Sequence, residues 1–163
     1  MLKRILHTNL GLLPRKTVKT PAPSQDIVEK IRWEQMEIQA AIGRIFIAND
    51  SGKPETVVVY LDKLRSLIQA HLLLKNNQFY SELRAAHEGD AEKTKLILKL
   101  QAEMESAQKN IVEFVHLYSN LGRPGYADLA QRFPFDLSVV ARDIAARAEH
   151  EEKVLHPLLL QHT

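Results

Sequence analysis

The sequence of 163 residues contains no cysteine. Without thiols the chain cannot form a disulfide, a cysteine-ligated zinc site or a cysteine nucleophile, so those classes of protein are excluded. It has no apolar run near the ~20 residues that a helix needs to span a bilayer, and we expect no integral membrane segment. Its six glycines are scattered and form no phosphate-binding loop. No Ser/His/Asp pattern is identifiable either, so we expect a protein that is not an enzyme.

Acidic residues are missing from residues 1–25, which hold five basic residues. The rest of the chain has 17 basic and 20 acidic residues and is mildly acidic, which argues against nucleic-acid binding because that needs a clustered basic face. We divide the chain into residues 1–23, a basic tail or docking segment, and residues 24–163, the folded domain. We expect a mobile tail; the short apolar stripe with basic neighbours in the first ten residues makes a docking or membrane-surface segment the alternative.

Four segments show the 3.6-residue spacing of apolar side chains that is typical of amphipathic helices. They predict helices at about residues 25–48, 54–85, 91–121 and 136–160, and no strand pattern of similar strength competes. Short connections between long helices favour an all-α, antiparallel up-down four-helix bundle. The predicted core stripes are Ile27, Ile31, Gln35, Ile38, Ile42 and Ile45; Val57, Leu61, Leu64, Ile68, His71, Lys75 and Phe79; Ile97, Leu100, Met104, Gln108, Ile111, Val115 and Tyr118; and Leu137, Val140, Ile144, Arg147, Glu151, Leu155 and Leu158.

Local signals define the ends of these helices. Asp26 followed by Glu29 resembles a capping box at the first helix, and Pro54 suits the first turn of the second. The sequence FPF at 133–135 predicts a connection whose two phenylalanines close one end of the bundle. Asp136 is then the expected cap of the fourth helix.

Each apolar stripe is interrupted near its middle by a polar residue. Central positions of neighbouring helices lie close together in a bundle, and a buried polar group costs a few kcal/mol unless it is hydrogen-bonded. We therefore expect these residues to meet in one network; the alternative is that the long side chains extend to solvent at the bundle edge. The residues are Gln35, His71, Lys75, Gln108, Arg147 and Glu151.

Two stretches resemble the motifs of one known family. HLLLKNNQFY at 71–80 is similar to the second-helix motif of hemerythrin-like (HHE cation-binding) proteins, in which a histidine precedes a carboxylate by four residues and an aromatic residue follows. RAEHEEKVLHPLL at 147–159 is similar to their fourth-helix motif. Gln35 and Gln108 match the spacing of the histidines of the first and third helices. The resemblance covers about residues 25–160 and implies a hemerythrin-like four-helix bundle.

The departures from the family pattern concern the metal ligands. His71 matches a ligand position and Glu151 a carboxylate position, whereas Lys75 stands at the other carboxylate position and Arg147 at a histidine position. A protonated ammonium and a guanidinium cannot ligate a metal, and two fixed cations repel one. We therefore expect no bound metal or other cofactor, with protein cations in place of the positive charge of the di-iron centre and Glu151 paired with one of them.

These observations predict a cytoplasmic, non-enzymatic binding, sensory or regulatory module that has lost its di-iron centre. The partner of such a module can be an unknown protein. The alternative is an iron-binding hemerythrin-like protein with a role in oxygen binding or sensing. The remaining histidines point to neither. His156 and Glu152 form an i, i+4 pair that we expect on a solvated face, and His87 is expected in a polar loop.

Overall fold

The computed structural model describes residues 23–161, and within that range the chain is helical, with turns between helices and no strand. The two π-helical segments Lys75–Phe79 and Glu151–Leu155 each continue an α-helix without a break. The α-helices are α1 Pro23–Asp50, α2 Pro54–Leu74, α3 Tyr80–Ala86, α4 Ala91–Leu117, α5 Ala127–His150 and α6 His156–Leu160.

Four helical rods result from this order. Rod 1 is α1, rod 2 is α2 with the first π segment and α3, rod 3 is α4, and rod 4 is α5 with the second π segment and α6. One core cluster joins the start of rods 1 and 3 to the end of rods 2 and 4, and a second cluster joins the four opposite ends. Successive rods therefore run in opposite directions, as the sequence predicted.

The apolar stripes face this core. One residue from each stripe shows this: Ile31, Leu61, Ile97 and Leu137 are all fully buried. Packing of amphipathic faces supplies most of the stability of helices of this length, so the stripes rather than helix propensity select the arrangement. At the start of rod 3, the Asp90 carboxylate accepts a hydrogen bond from the backbone N–H of Lys93 at 3.1 Å and caps α4.

The fourth rod begins nine residues before the predicted start, and the prediction of Asp136 as its cap is wrong. α5 already begins at Ala127 and runs through Pro134. A proline inside a helix deprives the carbonyl four residues earlier of its donor. Ala130 and Pro134 are both exposed, so water can bond that carbonyl. Asp136 lies within the helix, where its carboxylate accepts a hydrogen bond from the hydroxyl of Tyr118.

The expectation that both phenylalanines of the FPF sequence close the bundle is half wrong. Phe133 is buried between the rings of Phe114 and Tyr118, at centroid distances of 6.0 and 4.9 Å. Phe135 lies on the other side of the same helix and is exposed. Because the segment is helical, residues two positions apart cannot share a face.

The connection from rod 3 to rod 4 depends on one glycine. α4 ends at Leu117, slightly before the predicted 121, and Gly122 follows with a φ of 86°. A Cβ at this position would lie 2.7 Å from the Cβ of Pro54, at the start of rod 2. Gly122 therefore supplies both a left-handed backbone conformation and a close approach between two rods.

No helix among residues 23–161 is long and apolar enough to cross a membrane. The basic segment lies outside the described residues except for Pro23, which is the first residue of α1. The division of the chain at residues 23 and 24 stays a prediction.

Candidate functional site

A buried ion pair lies at the centre of the bundle. The ammonium of Lys75, in rod 2, donates to Oε1 of Glu151, in rod 4. Lys75 is 0% exposed and Glu151 is 2% exposed. Charged side chains are seldom buried to this degree unless they are paired, and removal of one partner leaves an uncompensated charge in the interior.

Both carboxylate oxygens of Glu151 are engaged. While Oε1 accepts from Lys75, Oε2 accepts a hydrogen bond from Nε2 of Gln35, in rod 1, at 2.9 Å. The carboxylate thus connects three of the four rods. The sequence placed Gln35, Lys75 and Glu151 at one level of the bundle, and the structure brings these three side chains into direct contact.

An aromatic ring also lies near the ammonium of Lys75. Its Nζ lies 5.6 Å from the centroid of the Tyr80 ring, within the range of a cation–π interaction. Burial lowers the pKa of Lys75, and the neighbouring Glu151 partly offsets this effect. The pKa of Tyr80 is raised, chiefly by burial and then by Glu151, so its phenol stays protonated. The carboxylate of Glu151 therefore favours the charged form of Lys75, against the effect of burial.

His71 belongs to a second, adjacent contact. Its Nδ1 lies 2.9 Å from Oε2 of Glu34, in rod 1. Burial, followed by the charges of Lys75 and His156, lowers the pKa of His71 to about 3. The imidazole is therefore neutral at physiological pH, and the contact with Glu34 is a hydrogen bond donated by Nδ1–H rather than a salt bridge. Lys75 thus favours a neutral His71 beside it.

The prediction that His156 and Glu152 lie on a solvated face is wrong for the histidine. His156 is buried, and its Nδ1 lies 2.8 Å from Oε2 of the half-exposed Glu152, which also accepts two hydrogen bonds from Arg32. The Arg32 hydrogen bonds lower the pKa of Glu152 to about 2, against the opposing effect of desolvation. The carboxylate is therefore ionised, so Nδ1–H of His156 donates to it. Burial lowers the pKa of His156, which favours its neutral form.

His87 also differs from its expected environment. It follows α3 in a turn, as predicted, but it is buried, and its Nε2 lies 2.9 Å from the backbone carbonyl of Leu158. The burial of His87 could not be predicted from its polar loop sequence, because it is the end of rod 4 that covers the turn. His87 therefore helps to attach the last turn of the described chain to the end of rod 2.

Arg147 and Gln108 lie at the same level but do not bond Glu151. Arg147 donates from Nη1 to the backbone carbonyl of Glu103 at 3.2 Å and from Nε to Asp143 at 3.4 Å. The side chain of Gln108 is half-buried and makes no hydrogen bond to any described residue. Of the two cations expected near Glu151, Lys75 is the one that pairs with it.

A cavity of about 50 Å³ lies next to the ion pair. Five of the six polar residues predicted to meet at the centre line it, and Lys75 is the exception because it is enclosed on the other side of Glu151. Most of the remaining wall is apolar. The lining consists of Gln35, His71, Gln108, Arg147 and Glu151 together with Gln39, Ile38, Ile68, Leu72, Met104, Ala107, Ile111, Ile144 and Ala148.

Each half of the chain contains one π-helical segment at an equivalent place, which the sequence pattern did not predict. The π segments begin at Lys75 and at Glu151, the two partners of the ion pair, which are 76 residues apart. The same separation relates Tyr80 to His156, and both side chains are buried with one polar atom, Tyr80 Oη and His156 Nε2, that has no hydrogen-bond partner among the described residues. A π turn adds one residue to a helical turn and often marks a functional site.

The residues present do not fit a di-iron centre. In the part of the chain that the structure describes, no three His, Asp or Glu side chains are grouped so that they could hold a metal ion. Glu151, which resembles a carboxylate ligand, already bonds an ammonium and an amide. A metal would have to displace the ammonium of Lys75 and then tolerate the guanidinium of Arg147 nearby.

Comparison with known proteins found no matching family model, no matching curated protein and no matching solved structure.

Proposed function

We propose that this protein is a non-enzymatic binding, sensory or regulatory module, and that it is a hemerythrin-like four-helix bundle in which an internal ion pair has replaced the di-iron centre. The observation that carries the proposal is the buried contact between Lys75 and Glu151. It joins the two segments that resemble the family motifs, at the level where the family holds its metal. The proposed location is the cytoplasm, and a protein partner is part of the proposal.

Charge compensation is the physical reason for this proposal. A di-iron centre compensates its carboxylate ligands with metal cations, and a bundle that loses the metal retains carboxylates in a medium that disfavours unpaired charge. An ammonium four residues after His71 supplies the missing positive charge. The amide of Gln35 then satisfies the second oxygen of Glu151 at 2.9 Å. Three rods remain connected at their centre without a metal.

A binding role is favoured over a catalytic one by the state of the polar groups. His71 has a pKa of about 3 and would be a very weak base, and both oxygens of Glu151 are occupied. The centre is thus arranged to hold the rods together, and the adjacent cavity is the place where it can meet a ligand.

The competing function is an iron-binding protein that binds or senses oxygen. Protein purified without a histidine tag from iron-supplemented cells distinguishes the two. We expect no stoichiometric iron by elemental analysis and no oxo-bridge absorption on exposure to air. Two irons per chain would contradict the proposal and establish the competing function.

A further inference from the structure

A groove on the surface of the bundle adjoins the central cavity. The groove lies between α4 and α5 and has a volume of about 210 Å³. Met104, Arg147 and Glu151 line both the cavity and the groove, so these side chains stand between the two spaces. Arg147 therefore borders both spaces, at the junction between the cavity and the groove.

Arg147 is suited to move and to bind an anion. Its side chain is 30% exposed, and its two hydrogen bonds to described residues, at 3.2 and 3.4 Å, are at or beyond the long end of the usual range. A guanidinium has five N–H donors, so three remain for a ligand. Asp143, its acidic partner, is half-exposed and can exchange Arg147 for water.

The other polar groups at the cavity complete a site for an anion. Lys75 already compensates the charge of Glu151, and Gln35 donates to its second oxygen, so this carboxylate repels a bound anion less than an unpaired one would. Gln108 makes no hydrogen bond to a described residue and can donate its amide N–H to a ligand at the cavity wall. One guanidinium and one amide donor match a carboxylate, which accepts two parallel N–H bonds from arginine.

The size and the apolar wall of the cavity define the rest of the ligand. A cavity of about 150 Å³ holds benzene, so one of about 50 Å³ suits roughly two or three carbon atoms. Ile68, Ile111 and Ile144 are among the apolar residues of the wall. A short alkyl group fills this space without leaving a polar atom unpaired.

We propose that the central cavity binds a short-chain aliphatic monocarboxylate, with its alkyl group among the apolar residues of the wall and its carboxylate on Arg147 and Gln108. This inference rests on the proposed function, since it names the ligand class of the binding module. Glu151 forms part of the wall of this site, and its partner Lys75 disfavours a metal ion there.

Titration of the full chain with sodium propionate tests the inference, with sodium chloride at the same ionic strength as the reference. Calorimetry and amide chemical shifts are the two readouts. We expect saturable binding, with shifts at Ala107, Ile111 and Ala148 around the cavity. Propionamide has the same alkyl group without the charge. We expect it to bind at least about tenfold more weakly than propionate, because it loses a charge-assisted hydrogen bond.

Matched variants assign the binding to the cavity. Arg147→Gln should weaken propionate binding about tenfold or more, whereas Arg142→Gln, an exposed arginine of the same helix, should leave it unchanged within about twofold. Ala148→Leu fills the cavity from its half-buried wall and should remove binding while Arg147 is still present. Thermal unfolding of each variant verifies that it is folded.

The inference is overturned if propionate shows no saturable binding, if Arg147→Gln and Arg142→Gln weaken it equally, or if the folded Ala148→Leu variant binds like the parent. Iron content is measured on the same preparation. Iron-free protein that does not bind propionate would refute the ligand class and leave the proposed function in place. Protein that carries two irons and binds propionate would refute the proposed function.

Discussion

Replacement of Glu151 by alanine is the perturbation that bears most directly on the buried centre. In Glu151→Ala the ammonium of Lys75, which is 0% exposed, loses its carboxylate, and the amide of Gln35 loses its acceptor. Removal of one partner from a buried ion pair costs about 3–5 kcal/mol. Most of that cost is the desolvation of the charge that remains, so we expect the free energy of unfolding to fall by this amount.

Denaturant unfolding measures the effect, and Glu149→Ala is the matched control. Glu149 lies in the same rod and is exposed, and among residues 23–161 it pairs only with the exposed Lys153, so its replacement should leave the unfolding midpoint unchanged. Glu152, the immediate neighbour of Glu151, is unsuitable as a neutral control because it pairs with Arg32 and His156. Equal midpoints for Glu151→Ala and Glu149→Ala would refute the reasoning about the ion pair.

The pH dependence gives the same prediction a second test. Burial lowers the pKa of Lys75 and Glu151 raises it, so removal of Glu151 lowers it further below 10.5. A lowered lysine pKa means that the folded variant binds fewer protons than its unfolded chain below pH 10.5, and its stability is lost as the pH falls. The deficit of Glu151→Ala should therefore be larger at pH 7 than at pH 10. A deficit that does not change between these values would indicate that Lys75 is solvated in the variant.

Three further predictions concern stability. The pKa of His71 falls from 6.5 in the unfolded chain to about 3 in the folded one, so its contribution is complete above pH 6.5 and declines as the pH drops, by about 2 kcal/mol at pH 5. His71→Gln should remove this part of the pH dependence, and replacement of the exposed His116 should not. Gly122→Ala should cost about 1–3 kcal/mol and more than Gly89→Ala, because both have a positive φ but only Gly122 abuts Pro54. Deletion of residues 1–22 should change the melting temperature by less than about 5 °C, and a larger drop would mean that this segment packs on the bundle.

The fold could be predicted from the sequence because the apolar spacing is regular over most of the chain. The stripe of rod 2, from Val57 to Phe79, is buried at every predicted position. The start of rod 4 could not be predicted in the same way. Pro134 usually ends a helix, and it is tolerated inside α5 only because its helical face is exposed. The exposure of Pro134 depends on how the other rods pack, so the local sequence does not predict it.

The sequence predicted which residues lie at the site, but only some of the contacts between them. The positions of Gln35, Lys75 and Glu151 follow from helical spacing, and these side chains do meet. Arg147 was expected to do the same, but its guanidinium turns toward the backbone of Glu103. Spacing defines a face of a helix, whereas the choice of partner for a long side chain depends on competing acceptors. The π segments have no sequence signal of their own and change which residues face the core after Lys75 and Glu151.

A zinc titration of a double variant tests most directly the proposal that protein cations stand where a hemerythrin-like protein would hold its metal. Lys75→Glu with Arg147→His removes both cations and supplies two ligand types, and we expect Zn²⁺ to bind at least about tenfold more tightly than to the parent. Lys153→Glu with Arg142→His makes the same exchanges at exposed positions of rod 4 and should bind like the parent. Parent protein that binds Zn²⁺ as tightly as the first variant would contradict the claim.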